Sequence, residues 1–162
     1  MGVDLRTDRL RIRELQLADA DAALEYLGDP QVMAFVEPPF DRLAVEKFIT
    51  DVGRAQPPRV FGVEALGSRR IIGHVIFHPW VDGQSWELCW VLRRDAWGQG
   101  LAQELSRALI DHGFTTLGLA RIVAESVPGN LASIAVMERV GMVRVPDLDR
   151  DLPVWAVSAS RT

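Results

Sequence analysis

The apolar positions of the chain follow two periodicities that exchange from one segment to the next. Leu10–Leu15 alternates, with Leu10 and Ile12 set against Arg11 and Arg13, which predicts a strand. Asp19–Leu27 places Ala22, Ala23 and Tyr26 on one helical side, and Gly28-Asp29-Pro30 stops that helix. Glu37-Pro38-Pro39 reads as a loop. Asp41 suits the N-cap of a helix running to about Arg54, with Val45, Phe48, Ile49 and Val52 at helical spacing. Gln56-Pro57-Pro58 breaks it. Three apolar runs follow, Arg59–Leu66, Arg70–His78 and Ser85–Leu92, parted by turn signals at Gly67-Ser68 and Asp82-Gly83. Their outline is an antiparallel meander.

The pattern then returns to helical spacing. Gly98–Leu117 predicts a long helix with Leu101, Leu105, Ala108, Leu109 and His112 inward and Gly118 closing it. Arg121–Val127 is a strand, and Asn130–Val140 a shorter helix with Gly141 just beyond its end. Met142–Val145 and Val154–Ala159 are a last pair of strands, separated by the acidic loop Asp147–Asp151. The order is β-α-α-β-β-β-α-β-α-β-β. A strand, a helix and a strand in the middle require a crossover, so those two strands should be parallel. The class is α+β, or mixed α/β, around one central, mixed and twisted sheet, with residues 1–162 forming a single domain.

Composition narrows the function. The chain has 162 residues, 48% of them apolar, enough for a proper core and too many for a disordered segment. The net charge of −4 argues against nucleic acid as a partner, because that binding needs a basic surface. Apolar runs such as Ile71–Phe77 are too short to span a bilayer, and the opening MGVDLRTDRLRIRE holds no apolar signal region. Arg6 stands where myristoylation of Gly2 would want Ser or Thr. A cytoplasmic protein without membrane partners is therefore expected. Cys89 is the single cysteine, so neither an internal disulfide nor a cysteine metal cluster is available. His74, His78 and His112 do not form a metal-binding pattern, and no metal is expected.

The strongest chemical signal is Trp97-Gly98-Gln99-Gly100-Leu101-Ala102, between a strand and a helix. Backbone N–H groups at a helix start lack intrahelical partners and face the positive end of the dipole. Two glycines there let a phosphate or pyrophosphate approach the backbone. Gln103 occupies the place of the third glycine of a dinucleotide fingerprint, and no Gly-Lys-Ser/Thr follows as in a nucleoside triphosphate loop.

Four pieces, in this order, resemble the GCN5-related N-acetyltransferase superfamily, and within it the branch that acetylates ribosomal-protein N-termini (RimJ/RimL-like). They are Thr7–Arg13, Asp29–Val32, Trp86–Leu92 with Trp97–Ala102, and Asn130–Ser133 with Glu138–Met142. The resemblance implies acetyl-CoA as acetyl donor and direct transfer to a primary amine. It implies that the backbone of Gly98, Gln99, Gly100, Leu101 and Ala102, beside Trp97, holds the pyrophosphate. It also implies that Val91, Leu92 and Arg93 pair with the pantetheine arm as an added strand would, the family's fourth and fifth strands being splayed at this point. Asn130 would bond the arm from the other side, or simply cap its helix.

Within that frame, Glu87 is the candidate base, an acidic residue in an apolar strand; the alternative is a solvated residue on an open sheet face. Many members place a Tyr in the second cofactor motif as proton donor to the leaving thiolate. Here Tyr26, in the first helix, is the only tyrosine. Ser133 could serve instead, or be a helix-surface serine. Cys89 sits where glycine is common and reads as a small hydrophobe rather than a nucleophile. Backbone N–H groups near Cys89–Val91 could polarise the acetyl carbonyl. Trp97 would pack the loop against the core, and Trp86 or Trp90 could wall the acceptor pocket.

The acceptor site of such a fold would involve Phe35–Phe40 and Asp147–Asp151, where Asp147, Asp149 and Asp151 favour a cationic acceptor. A protein N-terminus, an aminoglycoside-like amine, a polyamine and a free amino acid all remain open, as does a monomer or a homodimer. The alternative function is a non-catalytic CoA-binding or sensing domain, suggested by the missing motif Tyr.

Overall fold

The structure, a computed structural model, describes residues 2–160. Hydrogen bonding joins its strands into one mixed sheet, as expected. Among the described residues the chain divides into two compact units, 2–76 with 90–101, and 77–89 with 102–160. Strands β4 (Arg70–Pro79) and β5 (Trp86–Leu92) run through both.

In the first unit, β1 (Leu5–Arg6), β2 (Leu10–Arg13), β3 (Val60–Ala65) and the start of β4 form an antiparallel ribbon. Two short helices, α1 (Ala20–Leu27) and α2 (Arg42–Phe48), supply the rest of its core. Asp41 caps α2 as expected, its carboxylate accepting from the Ala44 N–H at 2.8 Å. The helix predicted to reach Arg54 changes to a π-helical turn over Ile49–Gly53. Leu15, Tyr26, Leu27, Val45, Ile49 and Ile71 pack into one buried cluster with Val91. Each such side chain contributes about 1.5–3 kcal/mol by leaving water.

One polar network is half-buried in the same unit. Arg13 donates to Glu64 at 2.6 Å and, through both terminal nitrogens, to Asp19 at 2.9 and 3.0 Å. The two carboxylates balance the desolvation of the guanidinium, whose pKa is pushed up chiefly by Asp19.

In the second unit, the start of β5 pairs in parallel with β6 (Arg121–Glu125), and β8 (Val154–Ser158) joins β6 to β7 (Val143–Arg144) with antiparallel pairing. Helix α3 (Leu101–Thr115) makes the crossover that parallel pairing demands, and α4 (Leu131–Arg139) follows β6. The inward face of α3 is Leu105, Ser106, Leu109 and Ile110, so Ile110 takes the place expected of His112. Trp80, Val123, Val154 and Ala156 form a buried cluster under the sheet.

The β4–β5 turn is pinned to the first residue of β6. Arg121 donates to Asp82 at 2.8 Å and to the Ser85 hydroxyl at 2.7 Å. Burial opposes ionisation of Asp82. The N–H groups of Ser85 and Gln84, the Ser85 hydroxyl and Arg121 outweigh it and bring the carboxyl down to about 2.

Candidate active site

The phosphate-type turn forms where the glycines predicted it, but the helix starts later. Gly98 and Gly100 have φ of +71° and +75°, the left-handed region, so they lie in the turn and α3 begins at Leu101. The reason is steric: two left-handed residues in three cannot belong to a right-handed helix. Nothing lies within 4 Å of where a Cβ of Gly98 would stand, so the turn is open on that side.

The turn is held by its own unit. Trp97 donates its indole N–H to the Leu92 carbonyl at 2.9 Å while remaining half exposed, so it fastens the loop to the strand end and is not buried in the core. Gln99 donates to the Asp95 carbonyl at 2.7 Å. Arg93 pairs with Asp95 at 2.6 Å and with Glu25. Arg94 reaches Gln31 at 2.5 Å and Asp29 at 3.3 Å, which ties the Asp29-Pro30-Gln31 turn to this loop. Arg9 donates to the Gln99 carbonyl at 2.9 Å, and its guanidinium lies 3.7 Å from where a Cβ of Gly100 would be. Its cation therefore stands against the turn, a placement that nothing in the spacing of a residue 90 positions away could show.

These features fit a pyrophosphate: a helix start, whose first N–H groups have no intrahelical acceptor, open space, and a guanidinium. The strand edge is partly committed. The Arg93 N–H donates to the Ile72 carbonyl at 2.7 Å, and the Leu92 carbonyl accepts from Trp97. Gly73 lies across from this stretch, and a Cβ there would run into the Val91 carbonyl. Among the described residues β5 pairs with β6 at Trp86↔Ile122 and Glu87↔Val123, the first two positions of a seven-residue strand.

The second unit holds a cavity of about 240 Å³, lined by His78, Trp80, Glu87, Glu125, Arg150 and Asp151 among others. The parallel register explains the convergence. Glu87 sits beside Val123, and Glu125 is two residues further along β6, on the same face. Glu87 Oε2 lies 3.4 Å from His78 Nε2. Burial, then the charge of Glu87, raises the Glu125 carboxyl above its ordinary value; Arg150 and a hydrogen bond with Trp80 act the other way. Glu87 is thus one of several carboxylates in a partly enclosed, net acidic space rather than a solitary side chain on an open face.

The other candidates are placed as follows. Asn130 caps α4, its Oδ1 accepting from the Ser133 N–H at 3.3 Å, so the capping role is present. Ser133 is half-buried in the first turn of α4. Tyr26 is fully buried, its hydroxyl 3.0 Å from His74 Nδ1 in the first unit's core, and burial pushes its pKa up. It is a core residue. Cys89 is half-buried. In the acidic loop, Asp149 is engaged by Arg144 at 2.5–2.6 Å, whereas Asp151 faces the cavity. Of the aromatic residues proposed as pocket walls, Trp86 packs against Phe77, and Trp80 lines the cavity instead. Glu125 and His78 were not anticipated. An acidic residue ending a strand was a weak cue for the first, and no cue marked the second.

The strand–turn–helix cradle and the acidic cavity are the two features to set beside known proteins. The model of the acetyltransferase (GNAT) domain family matches residues 9–143, and the chain belongs to that family. It is 30% identical over 141 residues to the uncharacterized N-acetyltransferase YnaD of Bacillus subtilis (strain 168), covering 86% of this chain and 82% of that one. Among solved structures, a GNAT-family acetyltransferase from Bacillus anthracis superposes with a TM-score of 0.85 at 27% identity, over 96% of this chain and 98% of that one. Aminoglycoside acetyltransferase AAC(6')-Ib in complex with coenzyme A shares the fold, with a TM-score of 0.72 at 17% identity over 92% and 94% of the two chains. The chain is therefore an acetyltransferase, and acetyl-CoA is the donor its family uses.

Proposed function

We propose that the chain is a single N-acetyltransferase domain that moves an acetyl group from acetyl-CoA directly to a primary amine, a protein N-terminus or a small amine. The observation that carries this reading is the acidic cavity around Glu87, because a cationic amine is what three carboxylates would draw in. The amine must lose a proton before it can attack. An α-amino group, with a pKa near ~8, gives that proton up more readily than a lysine at ~10.4. Glu87 takes the proton as base.

Acetyl-CoA supplies an acetyl group activated as a thioester. The backbone of Gly98–Ala102 with Arg9 would hold its pyrophosphate, the strand residues Val91–Arg93 its pantetheine amides, and Asn130 the arm. Ser133 would donate a hydrogen bond to the departing thiolate. In the balance, one proton passes from the ammonium to Glu87 before attack, the new N–C bond takes the nitrogen lone pair, the C–S bond breaks with its electrons on sulfur, and the second proton the nitrogen loses on becoming an amide passes to that sulfur, giving CoA as the thiol. We place this enzyme in the cytoplasm, as a monomer or homodimer, without a metal, nucleic acid or membrane partner. Its motifs resemble those of the branch that acetylates ribosomal-protein N-termini, which supports a peptide N-terminus as acceptor. Among the described residues no helix is long and apolar enough to cross a membrane.

The test is turnover across a panel of peptide N-termini, aminoglycosides, polyamines and amino acids, alongside calorimetric titration with acetyl-CoA. Turnover with one class identifies the acceptor. Tight CoA binding without turnover would favour the non-catalytic reading, which the burial of Tyr26 in the first unit's core supports. No acetyl-CoA binding by folded protein would overturn both.

A further inference from the structure

His78 stands near the end of β4, and both of its ring nitrogens are accounted for. Nδ1 lies 2.7 Å from the Pro79 carbonyl oxygen. A carbonyl can only accept, so Nδ1 carries the hydrogen in this contact. In a neutral ring with that tautomer, Nε2 presents a lone pair. It faces Glu87 Oε2 at 3.4 Å, and an ionised carboxylate also only accepts. Two acceptors therefore confront each other across the cavity wall. One added proton converts the confrontation into a charge-assisted hydrogen bond.

Other charged groups face the same space. Glu125 from β6 and Asp151 from the loop before β8 face the same cavity, with Arg150 the only cation among the named lining residues. Three carboxylates against one guanidinium leave a net negative field at His78. The pair itself is partly shielded from water, with His78 and Glu87 side chains 23% and 20% exposed.

We propose that His78 and Glu87 form a dyad that holds one proton between them, with His78 as the positioning residue for the base and the Pro79 carbonyl setting its tautomer. This rests on the acetyl-transfer reading above. The acceptor ammonium gives one proton to the Glu87 carboxylate, which shares it with Nε2, so the dyad gains one positive charge and the nitrogen is left neutral. After transfer the dyad returns that proton to solvent.

Two measurements test this. The first needs no turnover: nitrogen-15 NMR of the imidazole rings at high pH, with the His78 signals assigned by their loss in His78→Gln. Hydrogen on Nδ1 is expected, and hydrogen on Nε2 would overturn the dyad. The second is the pH dependence of kcat. His78→Gln should lower kcat about tenfold near neutral pH and displace the acid limb, because Nε2 no longer shares the proton that Glu87 takes. Acetyl-CoA affinity should not change. A purely structural His78 would leave the limb in place, and that outcome would also overturn the proposal. If wild-type protein acetylates no amine, the acetyl-transfer reading fails, while the tautomer still decides whether the dyad exists.

Discussion

The turn at Gly98–Gly100 and the cavity at Glu87 are built on different plans. The turn is made of backbone. Its two left-handed glycines lead into the start of α3, and side chains around it serve as struts: Trp97 to Leu92, Gln99 to Asp95, Arg94 to Gln31 and Asp29. The cavity is made of side chains, brought from β4, β5, β6 and the loop before β8 by strand register. Backbone recognition suits a part shared by every donor molecule. Side-chain recognition can be re-specified by single substitutions, which suits the part that differs between acceptors. The two should therefore respond to mutation in separate ways: damage at the turn should appear in donor affinity, and damage in the cavity in turnover and acceptor choice.

The sharpest way to break this division is Glu87→Gln. A positioned general base contributes about 10²–10⁴-fold, so kcat should fall by at least about 100-fold. The dissociation constant for acetyl-CoA, read by calorimetry, should stay within about twofold. A parallel loss of donor affinity would show that the cavity and the donor site are not separate functions. The converse variant is Gly98→Val. Its β-branched side chain meets a left-handed φ, costing roughly 1–2 kcal/mol, and enters the open space a phosphate would fill. Acetyl-CoA should bind about 10–100-fold more weakly, the loss of one or two charge-assisted hydrogen bonds. Far-UV circular dichroism should show the fold retained. Unchanged affinity in a folded variant would remove the turn from the donor site.

The same division explains what could be read in advance. Local features were legible because their causes are local. Alternation located β2 to β6 and β8 to within a few residues, Asp41 and Asn130 announced their caps, and Gly98-Gln99-Gly100 announced the turn. The turn's details were not. Helical spacing continues through Gly98, and the positive φ values that delay α3 to Leu101 carry no periodic signature. The π-turn at Ile49–Gly53 was hidden because Val45, Phe48, Ile49 and Val52 also satisfy an unbroken α-helix. Strand β1, two residues long, is too short to alternate. The cavity was the least legible part. Glu87, Glu125 and Asp151 meet through a parallel register that the order of elements implies but does not number.

Arg9 tests the boundary between the two plans, since it is a side chain serving a backbone site. Arg9→Ala removes the cation beside the turn and the hydrogen bond to the Gln99 carbonyl. Acetyl-CoA affinity should fall about five- to tenfold, close to one exposed charge-assisted contact. The wild-type affinity should weaken with added salt more steeply than that of the variant. Identical salt slopes would mean that Arg9 braces the loop without meeting phosphate.

The smallest expected effect concerns the stability that the cavity forgoes. Burial and the neighbouring Glu87 charge raise the Glu125 carboxyl above its ordinary 4.5. The folded state therefore binds this proton more tightly than the unfolded chain does. The penalty is absent below about pH 4.5 and develops as pH rises through the folded value. Glu125→Gln should then raise the melting temperature at pH 7.5 by a few °C at most, with the gain vanishing at pH 4. An equal gain at both pH values would point to packing rather than charge. The turn offers the opposite case, because replacing its glycines strains the backbone and gains nothing at any pH. Loss of preference for cationic acceptors in Glu125→Gln, measured on the amine panel at pH 7.5, would connect the stability forgone to the specificity gained.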